Sequence, residues 1–168
     1  TPNLQFHIQP ISTDKLGGAN LHDFHAFTPT VVNIRPTSRG EITISSNDTK
    51  VNPKIKMNYL STDEDRKVAA DGIKLIRKIV METNEFKKYE PEEFRPGSHL
   101  NDKEEIVKAC SHYAQTIFHP VGTCKMGNDD SAVVSDKLKV HGLNKLRVID
   151  ASIMPNITSG NTNAPTIM

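Results

Sequence analysis

The 168-residue sequence predicts an α+β fold in which an antiparallel sheet is backed by helices. Three observations point there: short β-branched runs broken by Pro and Gly in the first third, two capped amphipathic segments in the middle, and further short β-like runs toward the end. The length suits one domain with a real core, or a piece of a larger protein.

Taken in order, Leu4-Gln5-Phe6-His7-Ile8 alternates with the period of a half-buried strand and stops at Pro10. Residues 11–20 are polar, with a Gly17-Gly18 pair, and form a predicted loop. Residues 31–34 and 41–45 are β-rich, and the connector Arg35-Pro36-Thr37-Ser38-Arg39-Gly40, with proline early and glycine late, suits a hairpin with a longer loop. The stretch around Pro53 is irregular, with room for one more short strand before Tyr59.

A first helix is expected from Ser61 or Thr62, where STDED offers a hydroxyl cap, an acid three residues on, and negative charge for the positive end of the helix dipole. Its apolar face is Val68, Leu75, Ile76 and Ile79, with Gly72 between. Residues 82–99, charged and carrying Pro91 and Pro96, read as a surface connection. A second helix follows, capped by Asn101 or Asp102, with Glu104 and Glu105 in its first turn, a buried stripe of Ile106, Cys110, Tyr113 and Ile117, and Pro120 as its end. Proline disfavours helical geometry in the residue before it, so His119 is expected at the helix exit on non-helical backbone. Beyond lie an acidic turn at 128–131, β-like runs at 132–134 and 138–140, a turn at 141–144 and a compact apolar strand at 146–149 that ends on Asp150.

The composition excludes several functions. Lys plus Arg is 21 against 20 for Asp plus Glu, so a net charge of +1 gives no electrostatic reason to expect nucleic acid or an anionic membrane surface. The absence of Trp also argues against an aromatic nucleic-acid platform. No apolar run approaches the roughly 20 residues that cross a bilayer. TPNLQFHIQP has neither the charged nor the apolar region of a signal peptide and no Met precedes it, so Thr1 is expected to be a cut point. Cys110 and Cys124 fit no disulfide framework and no zinc ribbon, and are expected to be reduced thiols. A zinc site from Cys110, His112, His119 and Cys124 has the right ligand types at irregular spacing.

Residues 119–168 carry groups that folding alone does not require. His119 can act as a base or merely cap the preceding helix, where a cation favours the dipole. Asn163, followed by Ala164 and Pro165, reads as a helix N-cap with proline in the first turn. Asp150 caps a turn or stands at a ligand edge of a sheet. The strings HPVGTCKMG (119–127), LRVIDASIMP (146–155) and SGNTNAPT (159–166) resemble, in order, the C-terminal signature of the glucose-methanol-choline (GMC) oxidoreductases, choline dehydrogenase-like members in particular. PNLQFHIQP is similar to the family's strand bordering the substrate cavity, and RPTSRGEITI to its hairpin.

The resemblance implies an FAD-dependent enzyme that oxidises an alcohol, choline-like by likeness alone, through hydride transfer to flavin N5. By the same motifs His119 is implied as the active-site base and Asn163 as the group that orients the alcohol oxygen, since an amide can donate and accept but cannot serve as the base. Asp150, Ala151, Ala164 and Pro165 are implied as flavin neighbours. Residues 1–118 would be the substrate-binding domain, and 119–168 the active-site segment with the last strand and turn of the flavin domain. Two departures stand out: AVV runs into Ser135 before Asp136 where the family has Asp directly, and the strand-GxGxxG-helix fingerprint of dinucleotide binding is nowhere in the sequence. The chain is therefore expected to be a C-terminal fragment that alone binds FAD poorly and catalyses nothing. The rival expectation is a binding or assembly module of GMC-like sequence without catalysis.

Overall fold

A computed structural model describes residues 2–14 and 20–168; the Gly17-Gly18 pair of the expected loop lies outside them. The backbone forms strands β1 (Leu4–Gln9), β2 (Thr28–Asn33), β3 (Glu41–Thr43) and β4 (Lys54–Lys56). Its helices are α1 (Asp63–Glu82), α2 (Asn84–Lys87), α3 (Lys103–Tyr113) and α4 (Asn163–Ile167), with a 3-10 turn at Ala151–Ile153 before the last. This is the expected α+β class, with its strands in two antiparallel pairs, β1 with β2 and β3 with β4. The chain divides into two compact units, residues 1–33 with 62–115, and residues 34–61 with 116–168.

In the first unit α1 lies against β2 and α3. Thr62 caps α1 by accepting from the Asp65 N–H at 3.3 Å, as the STDED pattern implies. The buried face of α1 is Asp65, Ala70, Gly72 and Ile76, while Leu75, expected inside, is exposed. The stripe is turned because small residues, not large ones, admit the neighbours: a Cβ on Gly72 would run into the Val31 side chain of β2. Ala70, Ile106 and Val107 form the core, flanked by Ile73, Leu100 and Cys110. Asp65 is buried, and its carboxylate accepts from the Asn33 amide at 3.1 Å.

The expected surface connection at 82–99 is instead anchored. It contains α2, and Glu93 takes both forks of the Arg77 guanidinium at 2.8 and 2.9 Å. Arg77 also donates to the carbonyls of Leu100 and Gly97 at 2.7 and 2.9 Å, so one side chain collects a whole loop. Asp102 caps α3 as expected. The helix ends at Tyr113, however, well short of Pro120, with Ala114 already extended at φ −68°, ψ 148°. Ile117 is thus outside the helix and Tyr113 is exposed, its ring under the Arg95 guanidinium. The chain leaves the first unit at Gln115, and that passage overrides the apolar spacing.

In the second unit the hairpin is β3 with β4, Glu41 opposite Lys56; the expected partner of β3, β2, pairs with β1 instead. Pro36 has no N–H to offer a ladder, and Gly40 lets β3 approach β4 where a Cβ would press on the carbonyls of Lys56 and Met57. Ile34, Val134 and Met154 are buried in this unit. The expected β-runs at 132–134, 138–140 and 146–149 are single bridges, Val134 with Met126 and Val140, and Lys139 with Arg147. The 146–149 segment bonds to Val140 and Leu138 through the Leu146 carbonyl and the Val148 N–H, and Ile149 is left 67% exposed. Among the described residues no helix is long and apolar enough to cross a membrane.

Candidate active site

The three C-terminal strings, separate in sequence, are brought together in the second unit. The Cys124 and Met126 N–H groups donate to the Ser152 and Ile153 carbonyls at 3.0 and 2.9 Å, stitching the first string to the second. Gly122, at φ +89°, makes the approach possible: a Cβ there would stand 3.3 Å from the Met154 carbonyl. The first string meets the third where His119 Nδ1 lies 3.1 Å from Thr162 Oγ1. The 3-10 turn at Ala151–Ile153 packs on α4, which sets Ala151 in the same neighbourhood as Ala164 and Pro165.

His119 is reached through an unusual backbone. Phe118 adopts φ +65°, where a bulky side chain costs about 1–2 kcal/mol. The Thr116 hydroxyl holds that turn by accepting the Phe118 N–H at 3.0 Å. Since α3 ends at Tyr113, His119 has no helix end to cap, and that alternative falls away. The third string arrives in the same fashion, through Ser159 at φ +68°. Its approach is clamped by two arginines of the RPTSRG segment. Arg35 donates to Ser159 Oγ at 2.6 Å, and Arg39 to Asn156 Oδ1 at 2.7 Å.

Asn163 is the first residue of α4 and not its cap; Thr162 occupies the cap position. The difference follows from the Thr162 backbone, helical at φ −89°, ψ −4°, whose carbonyl accepts from Thr166 N–H at 3.1 Å. Pro165 remains in the first turn, where a missing N–H costs nothing. The Asn163 side chain is exposed and makes no hydrogen bond among the described residues. Asp150 does cap a turn: Oδ1 accepts the Ser152 N–H at 2.8 Å, and the hydroxyl and N–H of Ser152 hold its carboxyl below the ordinary carboxylate range. No three His, Cys, Asp or Glu side chains converge among the described residues, so the zinc alternative has no site there.

Sequence reasoning passed over Thr162, Arg35 and Arg39. The threonine was legible as a neighbour of Asn163 and the arginines as part of a hairpin motif, but nothing local announces partners more than forty residues away. Chemically, the site offers an imidazole bonded at Nδ1 to Thr162 and, on the next residue of the chain, the exposed amide of Asn163. That pair can take a proton from a hydroxyl and orient the oxygen that bore it.

The chain is similar to known proteins. Over 99% of its length the chain is 43% identical to the oxygen-dependent choline dehydrogenase of Proteus mirabilis (strain HI4320), of which it spans 30%. Among solved structures it is similar to pyridoxine 4-oxidase from Mesorbium loti, with a TM-score of 0.80 at 32% identity, covering 88% of this chain and 29% of that one. It is also similar to formate oxidase of Aspergillus oryzae, with a TM-score of 0.78 at 32% identity, over 86% of this chain and 26% of that one. The GMC oxidoreductase model matches residues 36–168, which takes in Arg39, the imidazole and α4 together, and the chain belongs to that family.

Proposed function

We propose that this chain is the C-terminal portion of an FAD-dependent oxidoreductase that converts an alcohol, choline or a choline-like one, to the aldehyde. His119 is the active-site base and Asn163 binds the alcohol oxygen. Residues 1–118 contribute the substrate-binding domain, and 119–168 the active-site segment and the closing elements of the flavin domain. The observation that carries this reading is the 3.1 Å contact of His119 with Thr162, the residue next to Asn163 in sequence, which supports a base and an amide acting in one site.

The donor set suits one edge of a flavin ring. The Ala164 N–H and the Asn163 amide have no hydrogen-bond partner among the described residues, and Ala164 adds only a methyl group to the approach. Asp150 is committed to Ser152, which leaves the Ala151 N–H for the cofactor and Asp150 to hold the turn that presents it. FAD, when bound, supplies the hydride acceptor. His119 takes the hydroxyl proton at Nε2, and Asn163 donates to the oxygen as it gains negative charge.

Phe118, Ile149 and Ile167 leave 70%, 67% and 78% of their surface uncovered around this site. That apolar surface supports a further flavin-binding portion seated over residues 119–168, which would carry the phosphate cradle the sequence lacks. The isolated chain should therefore bind FAD weakly and leave choline unoxidised.

The test is anaerobic mixing of the full-length flavoprotein with choline. Bleaching of the oxidised flavin band is expected, slowed by about 10²–10⁴-fold in His119→Ala with flavin content preserved. Full-rate reduction in His119→Ala would remove the base assignment. A full-length protein that neither holds flavin nor bleaches would favour a binding module.

A further inference from the structure

We propose that Thr162 is a positioning residue that selects the tautomer of His119, keeping the proton on Nδ1 and leaving Nε2 as the basic nitrogen. The inference rests on the reading of His119 as the base and goes further, because it names the group that makes one nitrogen basic and the other not.

A neutral imidazole has one N–H and one lone pair, and the hydrogen bond at one nitrogen decides the state of the other. Here the 3.1 Å contact of Nδ1 with Thr162 Oγ1 is the sole hydrogen bond of the ring among the described residues. A hydroxyl can donate or accept, so the direction needs an argument. If Thr162 donated to Nδ1, the proton would sit on Nε2, and the remaining lone pair would be covered by the hydroxyl itself. The open nitrogen would then be unable to take a proton. If Thr162 accepts from Nδ1–H, Nε2 is free, and the same bond persists after Nε2 is protonated. Only this direction serves a base without any rearrangement of its support.

The fold makes Thr162 available for the task. A threonine at a helix cap position ordinarily accepts from the N–H of the second or third helical residue. In α4 the third residue is Pro165, which has no N–H, and the Thr162 hydroxyl makes no capping bond. Its helical φ and ψ also differ from the extended backbone of an ordinary cap. The hydroxyl is thereby left out of the helix cap and reaches His119. It is also held still. Thr162 is only 6% exposed, its β-branched side chain is stiff at χ1, and its carbonyl is fixed by both the N–H and the hydroxyl of Thr166, at 3.1 and 2.6 Å.

The test compares wild type, Thr162→Val and Thr162→Ser in the full-length, flavin-loaded protein with ¹⁵N-labelled histidine, the His119 signal being assigned by its loss in His119→Ala. Wild type and Thr162→Ser should show the Nδ1–H pattern. Thr162→Val, the same shape without the hydroxyl, should move toward Nε2–H and lower kcat by roughly tenfold, the worth of one neutral hydrogen bond, with KM unchanged. Rescue by Ser separates tautomer selection from packing. An Nε2–H pattern in wild type overturns the proposal, as does a Thr162→Val protein with wild-type spectrum and kcat. The two readings fail separately: a His119→Ala enzyme of full activity removes the base, while tautomer selection is decided by the spectra. Should Thr162→Val not fold, the wild-type spectrum alone still decides the direction of the bond.

Discussion

In the first unit α1 and α3 close over Ala70, Ile106 and Val107, and their backbones are satisfied within the helices themselves. Residues 116–168 of the second unit are carried by turns, single bridges and side-chain clamps, so local turn bonds are supplemented there by backbone bonds between segments far apart in sequence, such as Cys124 to Ser152 and Met126 to Ile153. The contrast separates two kinds of sequence information. Where local hydrogen bonds do the work, residues are chosen for packing, and their period shows. Where distant ones do it, residues are chosen for the bonds they reach, and no period survives. All six residues implied as catalytic or flavin-facing lie in the second unit.

The comparison can be put at risk directly. Ile106→Ala, at a position with no exposure, should cost about 2–5 kcal/mol of stability by denaturant unfolding, while amide exchange at Cys124 and Met126 stays slow. Equal loss of protection in both units would show that they are not held separately. Arg77→Met should cost about 2–4 kcal/mol by the same measurement, since Glu93 and two carbonyls lose their donor together.

In the second unit the effects should be smaller and closer to the chemistry. Gly122→Ala meets the cost of a left-handed backbone, about 1–2 kcal/mol, and should speed amide exchange at Cys124 and Met126 without touching the α1 amides. Asp129 gives the finest test. The Ser131 hydroxyl and the Lys125 ammonium lower its carboxyl to about 2, so its folded pKa lies below the unfolded value. The stabilisation is therefore complete above about pH 4 and is lost as pH falls toward 2. Asp129→Asn should loosen residues 125–131 at neutral pH, and its amide exchange should converge with wild type near the acid limit.

The sequence made α1 and the start of α3 readable, because caps and acidic first turns are local chemistry at Thr62 and Asp102. It also marked β1, whose alternation needs no knowledge of its partner. Strand pairing was not readable: the 35–40 connector allows a β2–β3 hairpin, and only the passage of the chain from one unit to the other at Asn33 assigns β2 to β1. The end of α3 was hidden for the same reason, since Ile117 continues an apolar spacing that the backbone abandons at Ala114. At the candidate site, motif resemblance singled out His119, Asp150 and Asn163, while Thr162, Arg35 and Arg39 bond His119, Ser159 and Asn156 across separations no local pattern encodes.

Phe118 and Ser159, each left-handed without being glycine, carry a further consequence for anyone who engineers this protein. Both positions invite glycine. A screen for heat resistance would find Phe118→Gly and Ser159→Gly among its first hits, because each relieves about 1–2 kcal/mol of backbone cost. The same hits would widen the range of positions open to His119 and to the Thr162–Asn163 turn. Selection for thermal endurance would thus loosen the candidate site at these two residues, and a library that holds both fixed while varying α1 and α3 would leave that arrangement in place.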